Sequence, residues 1–415
     1  MTESIAQRTL SDRVELPGGG VLANRLMKSA LSEALGDARN RPTDRLVRLF
    51  ERWADGGYGL VVTGNVMIDR RHLGEPGNVV IEDDRDLAQL RRWAGVFAGT
   101  GTALWMQLNH PGRQSNPLGR VRPVAPSAIA AGVPGASTPR ELTEPEILDI
   151  VERFATAAAV AESAGFDGVQ IHGAHGYLVT QFLSPLANRR EDGWGGDPVR
   201  RRRFLLEIVR AVRARVSPGF AVGVKLNSAD FQRGGFSEEE SREVVRALTA
   251  ERVDLIEISG GSYEAPAMMG TAAASTVARE AYFLEYARTV AEIAADVPVA
   301  VTGGFRTPAA MAEAVASGDC DLIGLGRPAC LLPDAARAVL DGRVDRLPSH
   351  TVTVPLGGRL PQLRPVQSLL DLQWHTDQLH RMGAGRAPDP HRPWWRTAIA
   401  AGARNGADLW RPKRG

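Results

Sequence analysis

His172, His175 and Tyr177 stand together in "IHGAHGYLVTQFLSP" (171–185), two imidazoles three positions apart with a phenol two further on. They follow the apolar run "FDGVQIHG", so the three side chains fall at the end of what reads as a buried strand. Imidazoles at i and i+3 can chelate a metal on a helix, but no cysteine or carboxylate stands nearby, the first glutamate being Glu191. Core packing explains one such histidine better than two beside a tyrosine. A third chemistry uses all three groups. Two N–H donors aimed at one carbonyl oxygen stabilise the negative charge of a developing enolate. A tyrosine O–H beside them can then protonate the carbon α to that carbonyl. This requires a hydride delivered to the β carbon, which a reduced flavin can supply.

The elements that must position these groups are legible as eight short runs. They are "RLMKSAL" (25–31), "YGLVVTGN" (58–65), "ALWMQLN" (103–109), "DGVQIHG" (167–173), "FAVGVKLN" (220–227), "VDLIEISGG" (253–261), "VPVAVTGG" (297–304) and "CDLIGLGRP" (320–328). Each is nearly continuously apolar, as strands buried on both faces of a parallel sheet are. Helical segments alternate with them. "TDRLVRLFERWADGG" sets Leu46, Leu49, Phe50 and Trp53 on one face and stops at Gly56. Thr143 with Glu146, and Ser237 with Glu240, stand in capping-box spacing. Another helix opens at Thr307 and Pro308 and ends at Gly318. The pattern predicts an α/β fold, a (β/α)8 TIM barrel over residues 1–340 with a small hairpin in "VELPGGGVLAN" closing its floor. A doubly wound sheet is the rival, but no strand leads into a Gly-x-Gly-x-x-Gly turn.

Composition narrows the classes further. The 415 residues carry a formal net charge of +2, which points to no nucleic-acid partner. Two cysteines, Cys320 and Cys330, provide no disulfide framework, in keeping with a reducing cytosol. The start, "MTESIAQRTL", lacks the apolar core of a secretion signal, and no apolar run approaches the ~20 residues of a membrane span. A soluble, cytoplasmic protein is the expectation. Residues 110–142 form a long Pro/Gly/Ser-rich loop of the kind that builds sites. Residues 341–415 form an extension with Trp374, Trp394, Trp395 and Trp410, expected to dock on the barrel or on a neighbouring subunit.

In such barrels the site lies at the C-terminal strand ends. The glycine turns "VTGGF" and "GLGRP" close the last two strands, where backbone N–H groups can cradle a phosphate and Arg327 can add a charge-assisted contact. Lys225, inside "VGVKLN", calls for an anion or polar ligand if it points into the barrel. Gln107 offers both a donor and an acceptor to a ring edge.

Taken in order, "NRLMKSALSE", "GLVVTGNV", "QLNHPGRQ", "GFDGVQIHGAHGYLVTQFLSPLANRREDGWGG", "VGVKLNSADF", "VTGGF" and "LIGLGRP" resemble the old yellow enzyme family of FMN-dependent NAD(P)H oxidoreductases over roughly residues 10–335. The resemblance implies non-covalent FMN across the strand ends. Ser29, Ala30 and Leu31 match backbone contacts along the flavin, and Ser32 matches a side chain that tunes its potential. Gly64 and Gln107 match contacts to the isoalloxazine ring, with Lys225 near its N1 and O2. Gly303, Gly304, Gly326 and Arg327 match the phosphate site. His172 and His175 match the pair that holds a substrate carbonyl, and Tyr177 the proton donor. Serine stands at 32 where relatives often have threonine or cysteine, and lysine at 225 where arginine is common.

The activity this implies is reduction of an α,β-unsaturated carbonyl by flavin that NADH or NADPH has reduced. The same residues leave open a flavin demethylase or desaturase, a phosphate-binding lyase without flavin, and a flavin-binding scaffold. In some relatives a C-terminal arginine enters a neighbour's site, and "HRPWWR" could act likewise in a homo-oligomer.

Overall fold

The computed structural model describes residues 7–115, 121–132, 136–260, 283–353 and 364–409. Gly261, Trp410 and parts of the 110–142 loop and of the extension lie outside these residues.

A two-stranded antiparallel hairpin comes first, β1 (Val14–Glu15) and β2 (Val21–Leu22). The barrel is built from β3 (Leu26–Lys28), β4 (Leu60–Val62), β6 (Ala103–Asn109), β9 (Gly168–Gly173), β10 (Ala221–Asn227), β11 (Leu255–Ser259), β12 (Val299–Thr302) and β13 (Leu322–Leu325). All eight expected strands are present. They run parallel in the order β4–β3–β13–β12–β11–β10–β9–β6, and β6 pairs back onto β4 to close the ring. The short β5 (Val66–Met67) pairs with the end of β6, and β7 (Val124–Ala125) pairs with β8 (Arg140–Glu141) in the long loop.

Helices α1 (Asp44–Ala54), α2 (Leu87–Ala94), α3 (Glu144–Ala164), α4 (Leu178–Leu183), α5 (Pro198–Arg215), α6 (Glu238–Ala250), α7 (Leu284–Ala291) and α8 (Pro308–Ala316) follow in chain order. After β13 come α9 (Pro328–Leu331), α10 (Ala335–Leu340), α11 (Arg364–Gly383) and α12 (Trp394–Leu409). Their starts follow the sequence signals. The Thr43 hydroxyl accepts from Leu46 N–H at the head of α1. Ser237 and Glu240 exchange bonds at α6, and the Glu146 carboxylate accepts from Thr143 N–H at α3.

Strand parity divides the core in two. Leu26, Val61, Leu104, Val169, Val224, Ile256, Val301 and Ile323 face outward onto the helices, joined by Phe50, Trp53, Phe154 and Phe204. Met27, Leu60, Trp105, Ala221, Leu255, Ala300 and Leu322 fill the barrel's lower interior, where Val14, Leu16 and Leu22 of the hairpin plug them. Gly18 N–H donates to Asp254 at the start of β11 (2.6 Å), fixing that plug to the floor. One or two steps further along the same inward parity the residues turn polar, and the site begins there.

Of the extension's tryptophans, Trp374 is fully buried on α11, stacked on His350 with 3.7 Å between ring centroids. Trp395 on α12 is exposed, with the Arg396 guanidinium over its ring. α11 lies against α1, taking Arg45 on the His380 carbonyl and Arg48 on the Gly383 carbonyl. No helix of the described residues is long and apolar enough to cross a membrane.

Candidate active site

A cavity opens at the C-terminal ends of the strands, and a buried polar network forms its floor. Gln107 Nε2 donates to Gln170 Oε1 (2.8 Å), and Gln170 Nε2 donates to Glu257 Oε2 (2.7 Å). Lys225 Nζ donates to Glu257 Oε1 (2.8 Å), which also accepts from the Thr302 hydroxyl (2.6 Å). Thr302 Oγ1 lies 2.7 Å from Ser29 Oγ. Strand register produces these contacts: Gln107 is paired with Gln170, and Lys225 sits between His172 on one side and Glu257 on the other. Lys225 therefore points into the barrel, and its charge is met by a carboxylate of the chain itself. Burial works to raise the Glu257 pKa, but Lys225, Thr302 and Gln170 together hold it below the ordinary carboxylate value.

The histidines and the tyrosine form one wall. His172 is the last residue but one of β9, His175 sits in the turn beyond it with φ +63°, and Tyr177 caps α4. The His175 turn is held by its own N–H donating to Asn227 Oδ1 (3.2 Å). Ring centroids lie 5.1 Å apart for His172–His175 and 4.9 Å for His172–Tyr177, both edge to face. Ala174 N–H donates to His172 Nδ1 (3.3 Å), which puts the imidazole proton on Nε2. His175 Nε2 is 2.9 Å from Ser259 Oγ; with the hydroxyl donating, the proton of this ring stands on Nδ1. Burial, reinforced by the charge of Lys225, pushes both pKa values well below that of an ordinary histidine. At neutral pH both rings are uncharged and each keeps one N–H.

Opposite stand the two glycine turns. Gly303, Gly304, Gly326 and Arg327 line the cavity, as do Ser29, Ala30, Leu31, Ser32, Gln107, His172, His175, Tyr177 and Lys225. Gly64 does not line it: its N–H donates to Glu33 Oε1 at 2.8 Å, and a Cβ there would come 2.1 Å from Glu33 Oε2. Glu33 in turn lies 3.7 Å from Lys28, whose Nζ donates to the Val62 carbonyl and sits over the Trp53 ring.

Several groups in and beneath the cavity have no counterpart among the residues that sequence pattern singled out. Thr302 in the lining, and Gln170 and Glu257 in the network below it, carried a signal, since each is polar, inward by parity and close to the end of an apolar strand. Asp371, Leu372, His375, Thr376 and Leu379 also line the cavity, all from α11. Nothing local in the sequence places that helix over the barrel mouth.

A flavin mononucleotide fits this donor set. Glycines at φ +139° and +91° (303 and 304) with Arg327 offer backbone N–H groups and a cation to a phosphate. Leu31, Leu325 and Phe283 offer apolar faces, and Gln107 with Lys225 offers polar atoms to a ring edge. His375 Nε2 is buried with no partner among the described residues, as befits an atom reserved for a ligand.

Elsewhere, among the described residues, Asp69, His72 and His110 form one group with metal-ligating spacing. Both Asp69 oxygens are occupied by Arg71, through Nη2 at 2.7 Å and Nε at 3.0 Å. Gly112 N–H donates to His110 Nδ1 (3.1 Å), leaving a proton rather than a lone pair on Nε2. A carboxylate already paired with arginine and a ring that presents a proton oppose a cation there.

Comparison with known proteins places the chain in a family. Residues 18–346 match the model of the NADH:flavin oxidoreductase / NADH oxidase family. An NADH-dependent flavin oxidoreductase of Hypocrea jecorina is 39% identical over 353 residues, covering 79% of this chain and 88% of that protein. One from Talaromyces variabilis is 38% identical over 365 residues, covering 81% and 87%. Among solved structures, a 2-naphthoyl-CoA reductase complex superposes with a TM-score of 0.76 at 27% identity, covering 82% of this chain and 53% of that one. With its barrel, its flavin-sized donor set and these relatives, the chain belongs to the NADH:flavin oxidoreductase / NADH oxidase family, as an FMN-dependent oxidoreductase of the old yellow enzyme type that draws electrons from NADH or NADPH.

Proposed function

We propose that the protein reduces the C=C bond of α,β-unsaturated carbonyl compounds. The observation that carries this reading is the convergence of two neutral imidazole N–H groups and the Tyr177 phenol on one wall of the cavity, beside Lys225.

Bound FMN, reduced by NADH or NADPH, supplies the hydride that the β carbon of the substrate receives. The chain's own residues do the rest. His172 Nε2–H and His175 Nδ1–H donate to the carbonyl oxygen and stabilise the charge that accumulates there as the β carbon is reduced. Neutral rings suit this, because they hold their protons while polarising the oxygen. Ala174 N–H fixes the His172 proton on Nε2, and Ser259 leaves the His175 proton on Nδ1 when its hydroxyl donates to Nε2. Tyr177 then delivers a proton to the α carbon and is reprotonated from solvent. Below them Glu257 balances Lys225, so the floor of the site carries no net charge.

The test is two half-reactions followed separately under anaerobic conditions, bleaching of the flavin by NADPH and its recovery with cyclohexenone. Tyr177→Phe should slow recovery by about 100-fold or more, the usual worth of a general acid, and leave bleaching nearly unchanged. Equal loss in both half-reactions removes Tyr177 as the proton donor. Bleaching without recovery in the unsubstituted enzyme sinks the enone reading and keeps the flavin.

A further inference from the structure

We propose that α11 is the wall that reads the ribityl chain of the flavin, with His375 Nε2 accepting a hydrogen bond from one of its hydroxyls. The proposal rests on the FMN assignment above and goes beyond it by giving the C-terminal extension a part in the site.

Asp371, Leu372, His375, Thr376 and Leu379 recur at helical spacing, so one face of α11 turns to the cavity. The helix spans the barrel mouth from Arg327, just past the end of β13, to the loop after β3. At one end Asp371 Oδ2 lies 3.4 Å from Arg327 Nη1, and at the other His380 Nε2 donates to the Glu33 carbonyl (3.0 Å).

The polar atoms on this face are acceptors. His375 Nδ1–H donates to the Asp371 carbonyl one turn back (2.8 Å), so in the neutral ring Nε2 carries a lone pair. Burial pushes the ring's pKa down to about 4, so it is neutral at working pH. The residue is 4% exposed, and its Nε2 has no partner among the described residues. Thr376 donates its hydroxyl proton to the Leu372 carbonyl (3.2 Å) and keeps its oxygen lone pairs. The Asp371 carboxylate already accepts Val352 N–H (2.8 Å).

A phosphate has only acceptors to offer, so it suits the glycine turns and Arg327 and is refused by α11. Hydroxyls have the proton this face lacks. Apart from the ring N–H, the ribityl hydroxyls are the donors of oxidised FMN, and Gln107 and Lys225 serve the ring edge from the far side of the barrel, on β6 and β10.

Flavin-free full-length protein titrated with FMN, riboflavin and a phosphopentyl isoalloxazine, followed by flavin fluorescence, separates the possibilities. The last compound keeps ring and phosphate but has no hydroxyls. His375→Leu should weaken FMN and riboflavin alike, by about tenfold for one lost hydrogen bond, and leave the phosphopentyl compound unaffected. His375→Gln, whose amide oxygen can accept, should recover most of the loss. A loss confined to FMN would assign His375 to the phosphate and overturn the proposal. So would an equal loss for all three compounds, or none for any. Should the leucine variant not fold, the glutamine variant and unsubstituted protein decide: phosphopentyl isoalloxazine binding as tightly as FMN overturns the proposal. Failure of the unsubstituted protein to bind FMN strikes instead at the cofactor assignment.

Discussion

Lys225 and Glu257 show how single side chains prepare this site before any ligand arrives. Each is almost wholly buried, and each would be untenable alone. Adjacent register on β10 and β11 puts them opposite one another, and Gln170 and Thr302 donate to the same carboxylate. Glu257→Gln keeps the shape and removes the counter-charge, leaving an ammonium inside the barrel with carbonyl-type partners only. We expect a loss of about 3 kcal/mol or more, the usual consequence of breaking a buried pair from one side, read as a lower urea midpoint with unchanged slope. An unchanged midpoint would mean that the pair contributes little to the stability of the fold. Lys225 was legible in the sequence as a buried cation in need of a partner. Its partner was not, because Glu257 sits in "LIEIS" and pairing across strands depends on register, which no single run of residues encodes.

At the scale of elements, the ends of β3, β12 and β13 are packed closely enough that a side chain between them must be absent. Gly324 on β13 lies between Ser29 and Thr302; a Cβ there would come 1.8 Å from Thr302 Oγ1 and 2.5 Å from Ser29 Oγ. The strands cannot part to admit it, since each is hydrogen-bonded to the next. Gly324→Ala should break the Ser29–Thr302 contact and destabilise by about 1–3 kcal/mol, typical of overpacking. FMN should bind more weakly too, because Ser29 and Thr302 both line the cavity. Native stability with native flavin affinity in that variant would show the strand ends to be more yielding than their spacing implies. The eight strands and the capped helices were readable because burial on both faces leaves a continuous apolar run and caps leave a polar signature. α11 was not readable as part of the site. Its residues spell a helix, but the contacts that seat it reach back to Glu33, Arg45 and Arg48, more than 300 positions away.

The whole molecule carries a dependence on acid that follows from where its histidines lie. Burial lowers His172 and His175 well below the ordinary value, His110 to about 3, and His375 and His380 to about 4. In the unfolded chain each titrates near 6.5. A folded pKa below the unfolded one means that the unfolded state takes up the proton first, so stability is complete above about pH 6.5 and declines as pH falls toward the folded values. At pH 5.5 each such histidine favours unfolding by about 1.4 kcal/mol relative to alkaline pH. Lowering of Glu257 acts in the same direction at still lower pH. Glu33 and Glu75 oppose it, since burial raises their pKa values and their penalty eases as they protonate. Burial also lowers His72 and His350 and raises Asp167; seven histidines outweigh three carboxyls, so the urea midpoint of the flavin-free protein should fall between pH 7.5 and pH 5.5. His380→Gln keeps a donor for the Glu33 carbonyl and removes one titrating ring. Unfolding of that variant at pH 5.5 should take up about one proton fewer, measured as a shallower slope of stability against pH. A slope equal to that of the unsubstituted protein would mean that His380 is already protonated in the folded state, and its bond to Glu33 would then be a charged one.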